Sequence, residues 1–382
     1  MWKLIVFSLA ALVLGACGSS SRELTRQPTP LSNISTAIEI NELWRSSAGG
    51  GIEEQYVRLN PVVNRDIVYV TDVGGEVTAL GAEDGERLWR ANTDTRAAGG
   101  FNGGDRVIAL GTVDGELVGL ASADGAELWR TGLSSEVTAV SRTELGVLAV
   151  RTLDSRVYGL DEESGAVLWQ WASKSPTLTL RGSGAPIVSD GRFVAGMDNG
   201  KLVALSAPDG RVLWETAIAS PRGASELERM VDIDGQVKEQ DGLVYVVSFQ
   251  GNIAAVTLAE GRVLWSRELS SYTGLDVEIG KVYSTDEDSN VWAFDASNGA
   301  SLWKQEKLKY RDITSPAVVG DYVIVGDSQG YVHWLSKFDG HLVARRRVDG
   351  SGILSSPQVM NDRVYVLGNS GRIVVLEAAP QG

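Results

Sequence analysis

The sequence predicts an all-β protein: an eight-bladed β-propeller of four-stranded antiparallel blades, with the ring closed by an N-terminal strand. A unit of about 40 residues recurs from Trp44 to the C-terminal region. Each unit holds four short runs of β-branched and aromatic residues that are separated by Gly, Asp or Asn turns. One position of the unit is almost always Trp. Four strands in a repeat of this length are typical of a propeller blade.

The third and fourth strands of the unit are its clearest part. Residues 75–89 read GEVTALGAEDGERLW and residues 115–129 read GELVGLASADGAELW, so a strand, a turn containing Gly and a strand with Trp follow one another. The spacing from the opening turn to the Trp position is 13 or 14 residues in each complete copy. These opening turns predict eight blades, and they lie at Gly75, Gly115, Ser155, Gly200, Gly251, Asn290, Gly330 and Gly371.

The first and last units complete each other. The repeats begin with a lone Trp-containing strand at residues 40–45, whereas the last unit ends after Leu376 without such a strand. Pairing the first strand with the last three closes the ring and removes a free sheet edge that would favour aggregation.

The recurring Trp is expected to be structural, because a large ring fills the wedge between neighbouring blades. The Trp residues in this position are Trp44, Trp89, Trp129, Trp169, Trp214, Trp265 and Trp303, with Ala344 in the eighth place.

The N-terminal residues predict export and a lipid anchor. Residues 1–16 have a basic start, a short apolar core and a small-residue end, which is the pattern of a signal peptide. Residues 14–17, Leu-Gly-Ala-Cys, resemble the lipobox of bacterial lipoproteins, which implies acylation of Cys17. Gly18 rather than Asp follows, which by the same resemblance implies the outer membrane. The predicted organisation is a signal peptide over 1–16, a lipidated Cys and flexible tether over 17–38, the propeller over 39–378 and a tail over 379–382.

Composition limits the chemistry that the chain can support. The formal net charge is −14 at pH 7, and an acidic chain without a basic block is not expected to bind nucleic acid. The single Cys excludes an intramolecular disulfide and a paired-Cys metal site. His333 and His341 are the only histidines, too few for a His-based metal cluster or a convincing triad. We therefore expect no catalytic residue, no metal and no cofactor.

Function is expected where the repeats diverge, because their shared residues build the scaffold. The connections after Trp44, Trp169 and Trp214 are longer than the others. The first contains three consecutive glycines and is interpreted as a flexible loop. The other two should lie on one face over adjacent blades.

The insertion after Trp169 contains a candidate protein-binding patch. Leu178 and Leu180 share one face if the segment is extended, and Arg181 follows them. Apolar anchors beside a forked cation are typical of protein interfaces. The alternative is that both leucines pack the insertion onto the blade edge.

The insertion after Trp214 contains alternating acidic and apolar residues. Asp232 and Asp234 alternate with Val231 and Ile233, so the acids are expected to point one way and to form an anionic surface. A solvated turn is the alternative interpretation.

One local motif suggests an enzyme. Residues 293–303, AFDASNGASLW, resemble the AxDxxxGxxxW motif of pyrroloquinoline-quinone dehydrogenases. That family implies a much longer chain, a calcium site and usually a paired-Cys feature beside the quinone. The only Cys here is assigned to the lipid, so a quinoprotein dehydrogenase is an unfavoured alternative.

The lipobox, the tether and the eight quinoprotein-like blades together resemble the BamB family, the propeller lipoproteins of the β-barrel assembly (Bam) machinery, over the whole chain. The most specific matches are residues 178–182, LTLRG, and residues 232–234, DID. In that family these motifs contribute to binding BamA through its periplasmic POTRA domains. The residues to which the resemblance assigns this role here are Leu178, Leu180, Arg181, Asp232 and Asp234.

The resemblance implies a non-catalytic scaffold that is lipid-anchored on the periplasmic side of the outer membrane and supports the folding and insertion of barrel proteins. A further hypothesis is that blade edges or the acidic surface hold nascent outer-membrane proteins by β-pairing. The alternative class is a tethered propeller that binds a cell-wall glycan or another ligand.

Overall fold

Eight four-stranded antiparallel sheets make up the protein in a computed structural model that describes residues 26–52, 55–174, 176, 178–182 and 184–379. The prediction of an all-β, eight-bladed propeller is confirmed. The predicted signal peptide, Cys17 and the start of the tether lie outside the described residues. Within the described ranges, no helix has the length and apolar character that crossing a membrane requires.

The blades are numbered here in chain order, and each is given with its strands from the ring centre outwards. Blade 1 consists of β2 (Val62–Asn64), β3 (Ile67–Thr71), β4 (Glu76–Gly81) and β5 (Arg87–Asn92), and blade 2 of β6 (Ala97–Gly103), β7 (Val107–Thr112), β8 (Glu116–Ala121) and β9 (Glu127–Gly132). Blade 3 consists of β10 (Val137–Glu144), β11 (Val147–Thr152), β12 (Arg156–Asp161) and β13 (Val167–Ala172), and blade 4 of β14 (Ile187–Ser189), β15 (Arg192–Gly196), β16 (Lys201–Ser206) and β17 (Val212–Ala217). Blade 5 consists of β18 (Lys238–Gln240), β19 (Leu243–Val247), β20 (Asn252–Thr257) and β21 (Val263–Glu268), and blade 6 of β22 (Leu275–Glu278), β23 (Lys281–Thr285), β24 (Val291–Asp295) and β25 (Ser301–Gln305). Blade 7 consists of β26 (Ala317–Val319), β27 (Tyr322–Gly326), β28 (Tyr331–Ser336) and β29 (Leu342–Arg347), and blade 8 of β30 (Gln358–Met360), β31 (Arg363–Leu367), β32 (Arg372–Ala378) and β1 (Ile40–Ser47).

The burial of each strand follows from its place in the blade. The second and third strands, such as β3 and β4, are buried along almost their whole length, because neighbouring sheets cover both of their faces. In the outermost strands, such as β5, most side chains are exposed to solvent, and the remaining ones are only partly buried. A small cavity of about 150 Å³ is lined by the first strands of blades 1, 2, 3 and 8 and by residues that precede the first strands of blades 4, 5 and 6.

The ring closes as predicted. Strand β1 pairs antiparallel with β32, from Ile40 opposite Ala378 to Ser47 opposite Arg372. The N-terminal strand is thus the outermost strand of blade 8, and it joins the two ends of the chain within one sheet.

Each of the seven recurring Trp residues bridges two blades. The Trp44 indole N–H donates to the carbonyl of Ala82, 3.1 Å away in blade 1, and its ring packs on the backbone of Gly85. A Cβ at Gly85 would lie 2.4 Å from this ring, and the residue has a φ of 72°, so both space and backbone require glycine. The equivalent pairs of indole donor and carbonyl acceptor are Trp89 and Ser122, Trp129 and Glu162, Trp169 and Ala207, Trp214 and Leu258, Trp265 and Ala296, and Trp303 and Lys337.

Blade 7 reverses the usual arrangement of a large and a small residue. In blades 1 to 6 the Trp of the outer strand pairs with Gly or Ala of the third strand, as Trp129 does with Gly119. In blade 7 the outer strand carries Ala344, and the residue paired with it is Trp334, which is fully buried. The aromatic ring is therefore supplied by the adjacent strand.

Part of the predicted tether packs against the propeller. The backbone amide of Thr29 donates to Lys309 O at 3.0 Å, and that of Ala37 donates to Val343 O at 2.9 Å. Ile38 is 6% exposed and lies in one apolar cluster with Trp334 and Ala344. From residue 26 onwards the segment predicted as a flexible tether thus contacts the propeller, and it covers the edge of blade 7 where the outer-strand Trp is missing.

Candidate partner-binding surface

The two insertions on adjacent blades lie together, as expected. One connects β13 to β14 and the other connects β17 to β18. The Asp232 carboxylate of the second insertion accepts a hydrogen bond from the backbone amide of Leu180 in the first. The backbones also approach closely, because a Cβ at Gly184 would lie 2.6 Å from the carbonyl oxygen of Gly235.

The first insertion presents an apolar and a cationic side chain to solvent. Leu178 is 47% exposed, whereas Leu180 is partly buried. The Arg181 guanidinium donates through Nε to Glu136 at 2.6 Å and through Nη2 to the carbonyl of Ala98 at 3.2 Å. Arg181 is therefore held in one orientation while a third of its side chain stays accessible.

The prediction that Asp232 and Asp234 form an anionic surface is wrong. Asp232 is fully buried and Asp234 is 3% exposed, and Ile233 between them is also buried. Both faces of the segment are covered: a Cβ at Gly196 would lie 2.2 Å from Ile233, and a Cβ at Gly182 would lie 2.2 Å from Asp234 Oδ1. Alternation therefore separates two buried faces and does not expose the acids.

The two buried acids belong to a larger charged cluster. Asp198, in the turn between β15 and β16, accepts hydrogen bonds from the Arg151 guanidinium and, at 2.5 Å, from the Ser155 hydroxyl. Burial raises the pKa of the Asp232 carboxyl to about 8, and the nearby Asp234 adds to the rise. Burial also raises the pKa of Asp234 to about 7, although Arg151 opposes this shift.

Sequence reasoning did not single out Arg151 and Asp198, although signals for this cluster were present. Arg151 is a buried charge in β11, an otherwise apolar strand. Ser155 stands at a turn position that is Gly in most other blades, and it keeps a positive φ of 60°. A charge and a hydroxyl at two scaffold positions of one blade indicate a local polar network.

The connection after Trp44 contributes to the same surface, contrary to the interpretation as a flexible loop. Val57 and Leu59 are buried, and Arg58 donates to the carbonyl of Tyr272 at 2.9 Å. Tyr56 is 64% exposed and lines a small cavity together with Arg181. We call the four residues Tyr56, Leu178, Leu180 and Arg181 the interblade patch.

These observations define the class of protein: an eight-bladed propeller of quinoprotein-type repeats that carries a patch of exposed apolar and cationic residues on its interblade insertions. The family model described as outer membrane protein assembly factor BamB matches residues 37–99, 73–305 and 306–381. The chain belongs to the BamB family.

Curated relatives and a solved structure agree over nearly the whole chain. The BamB of Pseudomonas aeruginosa is 46% identical over 374 residues, which is 98% of both chains. The BamB of Salmonella typhimurium is 33% identical over 379 residues, which is 96% of this chain and 97% of that protein. The crystal structure of BamB from Moraxella catarrhalis matches with a TM-score of 0.81 at 28% identity, covering 89% of this chain and 100% of that chain.

Enzymes with the same architecture share the fold alone. The quinohemoprotein alcohol dehydrogenase of Comamonas testosteroni matches with a TM-score of 0.68 at 13% identity, covering 91% of this chain and 78% of that chain. The relatives that share both sequence and fold are named as assembly factors and not as enzymes.

Proposed function

We propose that this protein is a non-catalytic scaffold of the outer-membrane protein assembly (Bam) complex that binds the periplasmic POTRA domains of BamA through the interblade patch. The observation that carries the proposal is the exposure of Leu178 and Arg181 on an insertion that a second insertion holds in place through Asp232. The BamB family supports the cellular role, since its members are named outer membrane protein assembly factors.

The patch has the chemistry of a protein interface. Tyr and Arg are enriched at the centres of interfaces because they combine apolar area with directed hydrogen bonds. Leu178 supplies an apolar anchor, and Arg181 supplies a charge that is already oriented by Glu136. A side chain that is ordered before binding loses less conformational entropy when the partner arrives.

Asp232 and Asp234 act differently from the three residues of the first insertion. Both are buried, so they support the surface and do not form it. Asp232 fixes the backbone at Leu180, and Asp234 packs under Gly182 at the end of the same motif. We assign both acids as positioning residues for the patch.

The propeller is proposed to work close to the outer membrane. Its described chain begins at Arg26, which pairs with Asp288 on blade 6 at 2.8 Å. The nine residues from Cys17 to Arg26 span at most about 30 Å when extended. An acylated Cys17 would therefore keep blades 6 and 7 near the periplasmic side of the membrane.

The test is a binding measurement between the chain without residues 1–17 and the periplasmic region of the cognate BamA. Leu178→Ala is expected to raise the dissociation constant about tenfold, a loss of roughly 1.4 kcal/mol. Leu168→Ala is the matched control, because Leu168 is 50% exposed on β13 and Leu178 is 47% exposed.

Each result has a distinct meaning. Equal loss in both variants would indicate a non-specific effect of removing surface leucine, and unchanged binding in both would move the site away from the patch. No binding by the folded wild-type protein would overturn the proposal.

A second role concerns nascent barrel proteins. The residue before each blade Trp is an exposed Leu on an outermost strand, which gives the ring a series of apolar edges. Such edges can pair transiently with an unfolded strand. The test is photocrosslinking in cells from the Leu128 position, where capture of BamA without any unfolded barrel protein would reject this role. The leucines concerned are Leu43, Leu88, Leu128, Leu168, Leu213, Leu264 and Leu302.

A further inference from the structure

Three buried carboxylates meet beneath the interblade patch. Asp198 comes from the turn between β15 and β16, and Asp232 and Asp234 come from the following insertion. One oxygen from each carboxylate lies within 4.8 Å of the other two. The three residues are at most 4% exposed, so this is an interior cluster and not an acidic surface.

Hydrogen bonding in the described part of this cluster is incomplete, and even Arg151 Nε has no acceptor. Within the part of the chain that the structure describes, both carboxylate oxygens of Asp234 and Oδ1 of Asp232 have no hydrogen-bond partner. Buried polar atoms are usually paired, and an ionised carboxylate that is buried without partners is strongly unfavourable. These three oxygens are therefore available to a ligand that the protein itself does not supply.

The charge of the cluster indicates what that ligand is. Three carboxylates carry three negative charges when ionised, and Arg151 compensates one of them by donating to Asp198. The second guanidinium contact of Arg151 is the carbonyl of Ile233, at 3.5 Å, and not a carboxylate. Arg58 is a second guanidinium near Asp234, but it does not cancel the charge of both remaining carboxylates, so the ionised cluster keeps a net negative charge that a cation neutralises.

Geometry favours the same ligand. Ca²⁺ binds carboxylate oxygens at about 2.3 to 2.6 Å, so two ligand atoms of one ion lie at most about 5 Å apart. The separations within the cluster fit this limit. Mg²⁺ binds oxygen at about 2.0 to 2.1 Å and usually keeps several waters, so it needs a tighter and more hydrated set of ligands than Ca²⁺ does.

We propose that Asp198, Asp232 and Asp234 bind one divalent cation of the Ca²⁺ type. Asp232 would then bind the ion through Oδ1 while its other oxygen accepts from the amide of Leu180. The ion would tie the two insertions together under the patch. Binding of the ion does not depend on the proposed function, whereas an effect of the ion on partner binding rests on that function. The expectation of no metal rests on the small numbers of Cys and His and does not consider acids that come together from separate turns.

The experiment is a calorimetric titration of the chelator-treated chain, without residues 1–17, with CaCl₂ and separately with MgCl₂. One Ca²⁺ per chain and a higher melting temperature in its presence are expected. Asp234→Asn is expected to weaken Ca²⁺ binding at least tenfold. Asp288→Asn is the matched control, since Asp288 lies in an acidic turn on the surface of blade 6, and it should bind Ca²⁺ like the wild type.

Other results would overturn the proposal. The absence of both a heat of Ca²⁺ binding and a thermal shift in the folded wild type would reject the ion. A higher stability of Asp234→Asn than of the wild type would then show that the carboxylates hold protons instead. If Asp234→Asn does not fold, Asp232→Asn provides the same comparison. Since none of these measurements contains BamA, their failure is distinct from failure of the proposed function. Slower hydrogen exchange of the Leu180 amide with Ca²⁺ would test the link to the patch.

Discussion

The backbone amide of Leu180 donates a hydrogen bond to the carboxylate of Asp232, although the two residues lie in insertions that follow different blades. Asp232 is buried, and Leu180 adjoins the exposed Leu178 and Arg181. A buried side chain of one insertion therefore fixes the backbone that carries the exposed residues of the other. Two divergent insertions therefore form one structural unit on a ring of otherwise similar blades. The proposed partner recognition depends on this unit as a whole.

The first prediction concerns the loss of the hydrogen bond between the Leu180 amide and Asp232. Asp232→Ala leaves the Leu180 amide without its acceptor, which costs about 1 to 3 kcal/mol locally. Removing a buried carboxylate offsets part of this cost, so the melting temperature should change little while the affinity for the BamA periplasmic region falls about tenfold. Asp232→Asn, which retains an acceptor oxygen, should recover part of the binding. Asp66→Ala, at an exposed turn, is the control, and wild-type affinity in Asp232→Ala would contradict the positioning role.

The second prediction concerns Tyr56, which the sequence did not single out. Tyr56→Ala should weaken BamA binding about tenfold, because truncating an aromatic residue at the centre of an interface typically costs more than 1 kcal/mol. Phe338→Ala is a matched control, since Phe338 is 62% exposed on blade 7 and Tyr56 is 64% exposed. Surface plasmon resonance on both variants checks this. Equal affinities for the two would place Tyr56 outside the interface.

The third prediction separates a direct role of Arg181 from a structural one. Arg181→Glu should weaken binding at least about tenfold and reduce its salt dependence, because a rim charge governs association. Adding Glu136→Arg restores the internal ion pair with reversed charges. If Arg181 contacts the partner, the double variant stays defective, whereas recovery of binding would mean that only the internal pair matters. Arg106→Glu, at an exposed ion pair in the turn between β6 and β7, is the control.

The fold was predictable from the sequence because the repeat supplies independent signals of the same architecture. The turn at Gly75 and the strand carrying Trp89 recur with constant spacing, and the incomplete first and last units require closure through β1. The repeat could not show which faces of an insertion are covered. Alternation at Asp232 and Asp234 therefore predicts a solvent boundary, whereas the backbones of Gly182 and Gly196 cover the segment from either side.

The fourth prediction concerns pH and the buried pair of His333 and Asp327. Their side chains lie 2.8 Å apart, next to Arg311 and with Arg345 nearby. Burial lowers the pKa of His333 below its usual value of 6.5, although Asp327 opposes this. Below that pH the unfolded chain takes up a proton that the folded chain resists, so the contribution of His333 to the free energy of unfolding falls as the pH falls.

Asp327 acts in the same direction at lower pH. Burial raises its pKa, but hydrogen bonds from His333 and Arg311 outweigh this and hold the pKa below 3.8, so its contribution is lost under strongly acidic conditions. Urea unfolding at pH 7.5 and 5.5 tests the histidine. Between these two pH values the free energy of unfolding of the wild type should change less favourably than that of His333→Gln. The raised pKa values of Asp232 and Asp234, which stabilise the fold as the pH falls, act equally in both proteins. His341→Gln should behave as the wild type because His341 is exposed, and equal changes in all three proteins would assign the pH dependence to other groups.

The fifth prediction tests the reversed pair in blade 7 by a double-mutant cycle. Trp334→Ala should cost about 3 to 5 kcal/mol, because a fully buried ring is removed. Ala344→Trp alone should cost about 1 to 3 kcal/mol by overpacking against Trp334, its cross-strand partner. The double variant has the arrangement of blades 1 to 6, and among the described residues Trp334 Nε1 has no hydrogen-bond partner to lose. The double variant should therefore be more stable in urea than Trp334→Ala, whereas additive losses would show that the two positions do not share one space.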